Sequence, residues 1–180
     1  VSSVTAEECG GPGDTIVLQS QRQVDNFKND YGDCKSVSYL DIDSGEDITN
    51  LDGLSEIEEI KILNIKGNPR LETIEGLDGL KKTNIIRIYG NAALTEVHLP
   101  SLQEFSGLFM EQGNPSLQRH YFPALQTGGQ FSLQGSSVKS IEAPNLLKLS
   151  AFLSRGATSL ASVSFPILEE TFSIQIDNSL

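Results

Sequence analysis

The chain has 180 residues, enough to bury one continuous core, and 38% of them are hydrophobic with no tryptophan, so leucine, isoleucine and valine must fill most of that core. A formal charge of −11 at pH 7 excludes partners that demand a basic footprint, nucleic acid and anionic membranes among them. No stretch reaches the roughly 18 apolar residues of a membrane span, so direct membrane insertion is not expected.

Residues 1–36 read as a unit distinct from the rest of the chain. Thr15 to Leu18 has the pattern of a strand and Ser20 to Tyr31 that of an amphipathic helix: Ser20 and Gln23 fit a capping box, Val24, Phe27 and Tyr31 share a face, and Gly32 stops it. The only two cysteines, Cys9 and Cys34, bracket these elements. A disulfide between them would contribute about 3 to 4 kcal/mol through loop-closure entropy and would persist in an oxidising compartment. Two cysteines also suit a metal, but no companion ligands stand at zinc spacing, so the bridge is the expectation. The helix then seals the N-terminal end of the repeats.

From 37 to 180 the chain repeats. Turn residues fall at Ser44, Gly67, Gly90, Gly113, Gly135, Gly156 and Asn178, at intervals of 23, 23, 23, 22, 21 and 22 residues. Such a period marks stacked units, each unable to bury its own apolar face alone. Two and four residues before the turn come Leu40 and Ile42, Leu63 and Ile65, Ile86 and Ile88, Phe131 and Leu133, and Ile174 and Ile176, which is strand alternation. Four residues after it come Ile48, Leu71, Leu94, Leu117 and Leu160, with Val138 one place early, closing a corner. Leu51, Ile74, Val97, Ile141 and Val163 form a third set. A fourth is carried by Leu99-Pro100-Ser101-Leu102, Phe122-Pro123-Ala124-Leu125, Ala143-Pro144-Asn145-Leu146 and Phe165-Pro166-Ile167-Leu168. Proline lacks the N–H that a sheet interior needs and so marks a corner or edge. The expected fold is mainly β: a right-handed β-solenoid of 21–23-residue, leucine-rich-repeat-like coils, three short strands to a coil, with an N-terminal capping helix. A leucine-rich-repeat horseshoe competes, because Leu63-x-Ile65 with Gly67-Asn68 resembles its core. No matching lid is visible after Asn178, so the natural protein is expected to continue beyond Leu180.

The outward row of the first strand runs Asp41 and Asp43, Asn64 and Lys66, Arg87 and Tyr89, Met110 and Gln112, Ser132 and Gln134, Leu153 and Arg155, then Gln175 and Asp177. Polysaccharide-cleaving β-helices set paired carboxylates in successive coils, and this row has none past the first coil, so no enzyme is expected. Arg87, Tyr89, Met110 and Leu153 instead offer the aromatic, thioether and guanidinium mixture of an interface centre, and are the candidate ligand-binding residues. Asp41, Asp43 and Asp47, with Glu46 beside them, are a weak calcium candidate lacking the spacing of a known calcium loop; no other metal and no cofactor is expected. His120 takes an inward place and His98 an outward one, which separates the only two histidines. Glu111 and Ser154 also fall on inward places, and a β-bulge turning Glu111 outward and Met110 inward is the expected resolution.

The opening strand, helix and cysteine unit, the Gly-Asn turns followed by leucine, and the coils ending in APNL, LPSL, FPAL and FPIL together resemble the receptor L-domain family over nearly the whole chain, from Cys9 to Leu180. The Pro-x-Leu endings are most similar to its fungal branch of GPI-anchored cell-wall-organisation and sporulation proteins. That resemblance implies secretion, a GPI anchor, and a non-catalytic role at the cell surface or wall in organisation or adhesion, with a protein or wall glycan as partner. Alternatives are a ligand-binding ectodomain module of a signalling receptor and a secreted glycan-binding protein. The chain departs from the branch in lacking any N-x-Ser/Thr sequon and any C-terminal anchor signal.

Overall fold

The computed structural model describes residues 8–177; the turn expected at Asn178 lies outside them. Among the described residues twelve strands make two parallel sheets that face each other across a narrow core. The larger holds β1 (Thr15–Leu18), β2 (Ser36–Asp43), β3 (Glu59–Lys66), β4 (Lys82–Tyr89), β6 (Glu104–Gln112), β8 (Thr127–Gln134), β10 (Lys148–Arg155) and β12 (Glu170–Asp177), side by side in that order. The smaller holds β5 (Glu96–His98), β7 (Arg119–Tyr121), β9 (Ser140–Glu142) and β11 (Ser162–Ser164). The chain is a β-solenoid in which each coil supplies one strand to the large sheet. Of the inward residues named by the period, Leu40, Leu63, Ile86 and Phe131 are at most 2% exposed, whereas Ile174 and Ile176 on the last strand are not buried.

Glycine at the turn is required by backbone conformation. Gly67, Gly90, Gly113, Gly135 and Gly156 have φ between 54 and 67°, the left-handed region that an added Cβ disfavours. Ser44 holds the same place at φ 56°, with its hydroxyl donating to Asp43 at 2.7 Å. Beside these turns runs an asparagine ladder. Asn68, Asn91 and Asn114 are at most 1% exposed, and each Oδ1 accepts from the coil before: Asn68 Oδ1 from Gly45 N (3.0 Å), Asn91 Oδ1 from Asn68 N (3.1 Å), Asn114 Oδ1 from Asn91 N (2.8 Å). Their Nδ2 groups donate to the Ile42, Ile65 and Ile88 carbonyls, so the corner leaves few buried polar atoms unpaired.

Two expectations need correction. Coils have two strands, and the early ones have only one: their return limb is a 3₁₀ turn, at Asp52–Leu54 and Glu75–Leu77. The proline of the later return limbs is missing there, its place taken by Leu54 and Leu77, and each turn carries a glycine one place earlier, at 53 and 76. A Cβ on Gly53 would overlap the Val24 carbonyl, and one on Gly76 the Leu51 carbonyl. The helix is also two helices, α1 (Gln21–Asp25) and α2 (Phe27–Tyr31), broken at Asn26. The break lets Val24 and Phe27, 0% and 2% exposed, both enter the core while the α1 backbone packs against Gly53. Ser20 caps α1 as expected, accepting from Gln23 N, and the Gln23 side chain accepts from Gln19 N at 2.7 Å. Cys9 and Cys34 are disulfide-bonded, tying the segment before β1 to the entrance of β2. At the other end β12 has no neighbour beyond it among the described residues, and Ile174 and Ile176 are 54% and 53% exposed.

Candidate functional site

The outer face of the large sheet presents three rows of side chains, because parallel pairing brings equivalent residues of successive coils side by side, about 4.8 Å apart. One row is Asp41, Asn64, Arg87, Met110, Ser132, Leu153 and Gln175, and the next is Asp43, Lys66, Tyr89, Gln112, Gln134, Arg155 and Asp177. Arg87, Tyr89 and Met110 therefore come together. Arg87 is the lateral neighbour of Met110, and the Tyr89 hydroxyl donates to Met110 Sδ at 3.2 Å. Leu153 does not join them, since Ser132 stands between it and Met110.

The third row carries no residue that the sequence pattern singles out. Tyr39, Ile62, Ile85 and Leu108 are lateral neighbours on β2, β3, β4 and β6, forming an apolar ridge across four strands beside Arg87 and Met110. Tyr39 is 39% exposed and the other three are half-buried. Strict alternation back from Ile65 and Leu63 would put Lys61 inside and Ile62 outside, but Lys61 is exposed as well and the core resumes at Ile60. The recoverable signal is isoleucine or leucine five residues before each turn, at 62, 85 and 108.

Arg87 donates to Asn64 Oδ1 at 3.2 Å, and Asn64 Nδ2 donates to Asp41 Oδ1 at 2.5 Å. Among the described residues no carboxylate lies within 4.0 Å of the Arg87 guanidinium. The acidic loop before it does not converge. Asp41 is taken by Asn64, Asp43 by Ser44 and by Lys66 at 3.1 Å, and Asp47 accepts from Gln21 N at 3.1 Å at the start of α1. These partners hold the Asp43 carboxyl below its ordinary pKa, the Ser44 hydroxyl first and the Lys66 ammonium second, with burial working against them. Among the described residues no group of three His, Cys, Asp or Glu is placed to hold a metal ion.

The outer face of the small sheet is occupied with itself. Arg119 donates from Nε and one terminal nitrogen to the two oxygens of Glu142, both at 3.1 Å, reaches Glu96 at 3.5 Å, and lies 4.3 Å from the Tyr121 ring centre; Tyr121 also stacks on His98 at 5.3 Å. His98 thus faces outward and His120 inward, as their register implies. His120 is 0% exposed among Phe109, Phe122 and Phe131, neither ring nitrogen has a hydrogen-bond partner among the described residues, and burial holds its pKa down to about 3.

Glu111 overturns the bulge expectation. A bulge is present, but at Gly107, upstream of both residues, so the register is regular again by Leu108: Met110 pairs with Arg87 and Ser132 and faces out, while Glu111 pairs with Ile88 and Leu133 and is 0% exposed. Its Oε1 accepts from Asn114 Nδ2 at 2.7 Å. Burial pushes its pKa up, against the opposing pull of the Ser136 hydroxyl and the Asn114 amide. Ser154 is also inward, 1% exposed, with its hydroxyl unpaired among the described residues.

No family model, curated protein or solved structure matches this chain.

Proposed function

We propose that this chain is a non-catalytic domain of the receptor L type, most like the fungal cell-wall branch, that works outside the cell by binding a partner on the outer face of its large sheet. The observation that carries this reading is the ridge Tyr39, Ile62, Ile85 and Leu108, flanked by Tyr89, Met110 and an Arg87 with no carboxylate beside it among the described residues. An apolar centre with aromatic, thioether and arginine neighbours is the composition found at the core of protein interfaces. The chemistry suits a protein segment that lays apolar side chains along the ridge and brings a carboxylate to Arg87. The disulfide is compatible with an extracellular site of action. No helix among the described residues is long and apolar enough to cross a membrane.

The test is retention at the surface of the cells that make the protein. Ile85→Asp and Leu108→Asp place a charge on the ridge without touching the core, so circular dichroism and melting should stay as in wild type while the protein is released into the medium. Retention equal to wild type would remove the ridge from the proposal. A wall-glycan array signal that survives both substitutions would make the partner a glycan bound elsewhere.

A further inference from the structure

The asparagine ladder stops at Asn114, and the way it stops reaches the outer face. In the two preceding rungs the ladder amide has the next asparagine as an acceptor: Asn68 Nδ2 donates to Asn91 Oδ1 at 3.2 Å, and Asn91 Nδ2 to Asn114 Oδ1 at 3.1 Å. The next coil has Ser136 at that place, and its hydroxyl instead accepts from its own Val138 N at 3.2 Å. The corner there is also one residue shorter, with Val138 three places after its turn glycine where Leu117 is four after its own. In those rungs the next asparagine's Oδ1 also accepts the backbone N–H, and a buried N–H left without an acceptor costs about 1–3 kcal/mol, so the Asn114 N–H, which loses that Oδ1, needs another partner.

Glu111 provides it. Its Oε1 takes the Asn114 amide at 2.7 Å, shorter than the bonds from that amide to the Ile88 and Gln112 carbonyls at 3.1 and 3.2 Å. We infer that Glu111 is a positioning residue of the outer-face site: its carboxyl group closes the ladder inside β6 and so holds that strand where Met110, the preceding residue, meets Tyr89. The need for such a hold is visible in β6 itself, whose pairing with both β4 and β8 shifts register at Gly107. Within four residues of that irregularity Met110 must be delivered outward to the Tyr89 hydroxyl and Glu111 inward to Asn114. The groups around Glu111 are Asn114, Ser136, Ile88 and Leu133, none of which titrates. Outward charges on the flanking rows are Arg87, beside Met110, and Lys66, paired with Asp43. His120, in the core behind β6, is neutral above about pH 3.

The inference rests on the outer face being the site, but its test needs no partner. Met110 is the only methionine, so a protein labelled with ¹³C-methyl methionine gives one methyl signal, carried by the thioether that accepts the Tyr89 hydroxyl. In wild type that signal should move with a single titration above the ordinary glutamate pKa. Glu111→Gln keeps an acceptor for Asn114 and cannot titrate, so its signal should keep the wild-type position at low pH and stay flat as pH rises. Glu111→Leu should move that signal away from its wild-type position, and amide exchange in β6 should quicken by roughly ten- to a hundredfold relative to β3, as the loss of a buried hydrogen bond implies. A wild-type signal flat from pH 4 to 8, or one that titrates equally in Glu111→Gln, would overturn the inference. So would Glu111→Leu with an unchanged methyl signal. If Glu111→Leu does not fold, the pair of wild type and Glu111→Gln decides. Failure of these tests leaves the ridge variants to judge the binding face on their own.

Discussion

His120 shows how one residue sets a pH dependence. Its neighbours in the same column of the small sheet are Val97 and Ile141, both 0% exposed, so a ring with two unpaired nitrogens stands where the fold uses aliphatic side chains. Phe109, Phe122 and Phe131 leave it no solvent, and the imidazole stays neutral down to about pH 3. The unfolded chain takes up that proton near pH 6.5, so between the two values the unfolded state is favoured increasingly as pH falls. The loss is about 3 kcal/mol between pH 6.5 and 4.5, and about 5 kcal/mol over the whole window. Glu111 acts in the opposite sense: its raised folded-state pKa gives a contribution that is full below its unfolded value and is lost as pH rises through the folded one. Comparing His120→Leu with wild type cancels the Glu111 part. Urea unfolding at pH 7 and 4.5 should show the variant losing about 3 kcal/mol less than wild type. Equal losses would mean that His120 reaches water or a partner. At the N-terminal cap, the Gln21 side chain accepts from Thr49 N (2.8 Å) and Asn50 N (3.2 Å) and donates to Asp25 (2.8 Å), joining α1 to the first coil. Gln21→Ala should cost about 1–2 kcal/mol in the same assay, with Gln21→Glu recovering the acceptor half; no loss would mean that water replaces the carboxamide at no cost.

At the scale of elements, the sequence is most legible where a single geometric rule repeats. The turn glycines and the inward pairs such as Leu63 and Ile65 are visible because left-handed backbone and strand alternation recur every 21–23 residues. Legibility ends where a second rule overrides the first. Glu111 occupies an apolar column, and a bulge is the natural expectation if burial is the only criterion; a hydrogen-bond count along Asn68, Asn91 and Asn114 would have left a donor needing an acceptor there. The ridge at Ile62, Ile85 and Leu108 escapes although alternation puts Ile62 outside, because isoleucine and leucine on an outward place go against the rule that apolar side chains fill the core. The early return limbs are misread because proline at 100, 123, 144 and 166 is extrapolated to coils that have none. In those coils glycine performs the corresponding task by a different route, letting the 3₁₀ turns stack backbone on backbone. Gly76→Ala would drive a methyl group into the Leu51 carbonyl, and Gly53→Ala into that of Val24. Each should therefore cost about 3 kcal/mol or more by thermal or urea unfolding, far above the roughly 1 kcal/mol that glycine-to-alanine changes carry when space is free. A small or favourable effect would show that successive coils can separate there without loss of packing. Gly90, whose added Cβ would meet nothing within 4 Å, is the control in which only backbone strain is paid.

For the whole molecule the balance of charge decides which electrostatic effect wins. Acidic residues number 24 against 13 basic ones, and the fold sets some of the bases between acids of adjacent coils: Lys35 meets Glu56 at 2.7 Å, Lys81 meets Glu58 at 2.6 Å and Lys148 meets Glu170 at 2.8 Å. Each of these pairs is well exposed, with side chains 40% accessible or more, so it contributes little and salt can remove no more than that little. Against this stands the repulsion among the unpaired acids. At 10 mM salt the screening length is about 30 Å, comparable with the molecule, and the excess charges of a net −11 all act on one another. At 0.5 M it falls to about 4 Å and only pairs in contact still feel each other. The compact state gains more from that screening than the expanded one, so added sodium chloride at pH 7 should stabilise the fold by about 1 kcal/mol, or roughly 2–4 °C in melting temperature. At pH 4.5, with much of the acidic excess protonated, the same addition should have less effect. A melting temperature that falls with salt at pH 7 would mean that the inter-coil ion pairs outweigh the repulsion, and that the charged ladders along the solenoid hold its coils in register as well as keeping it in solution.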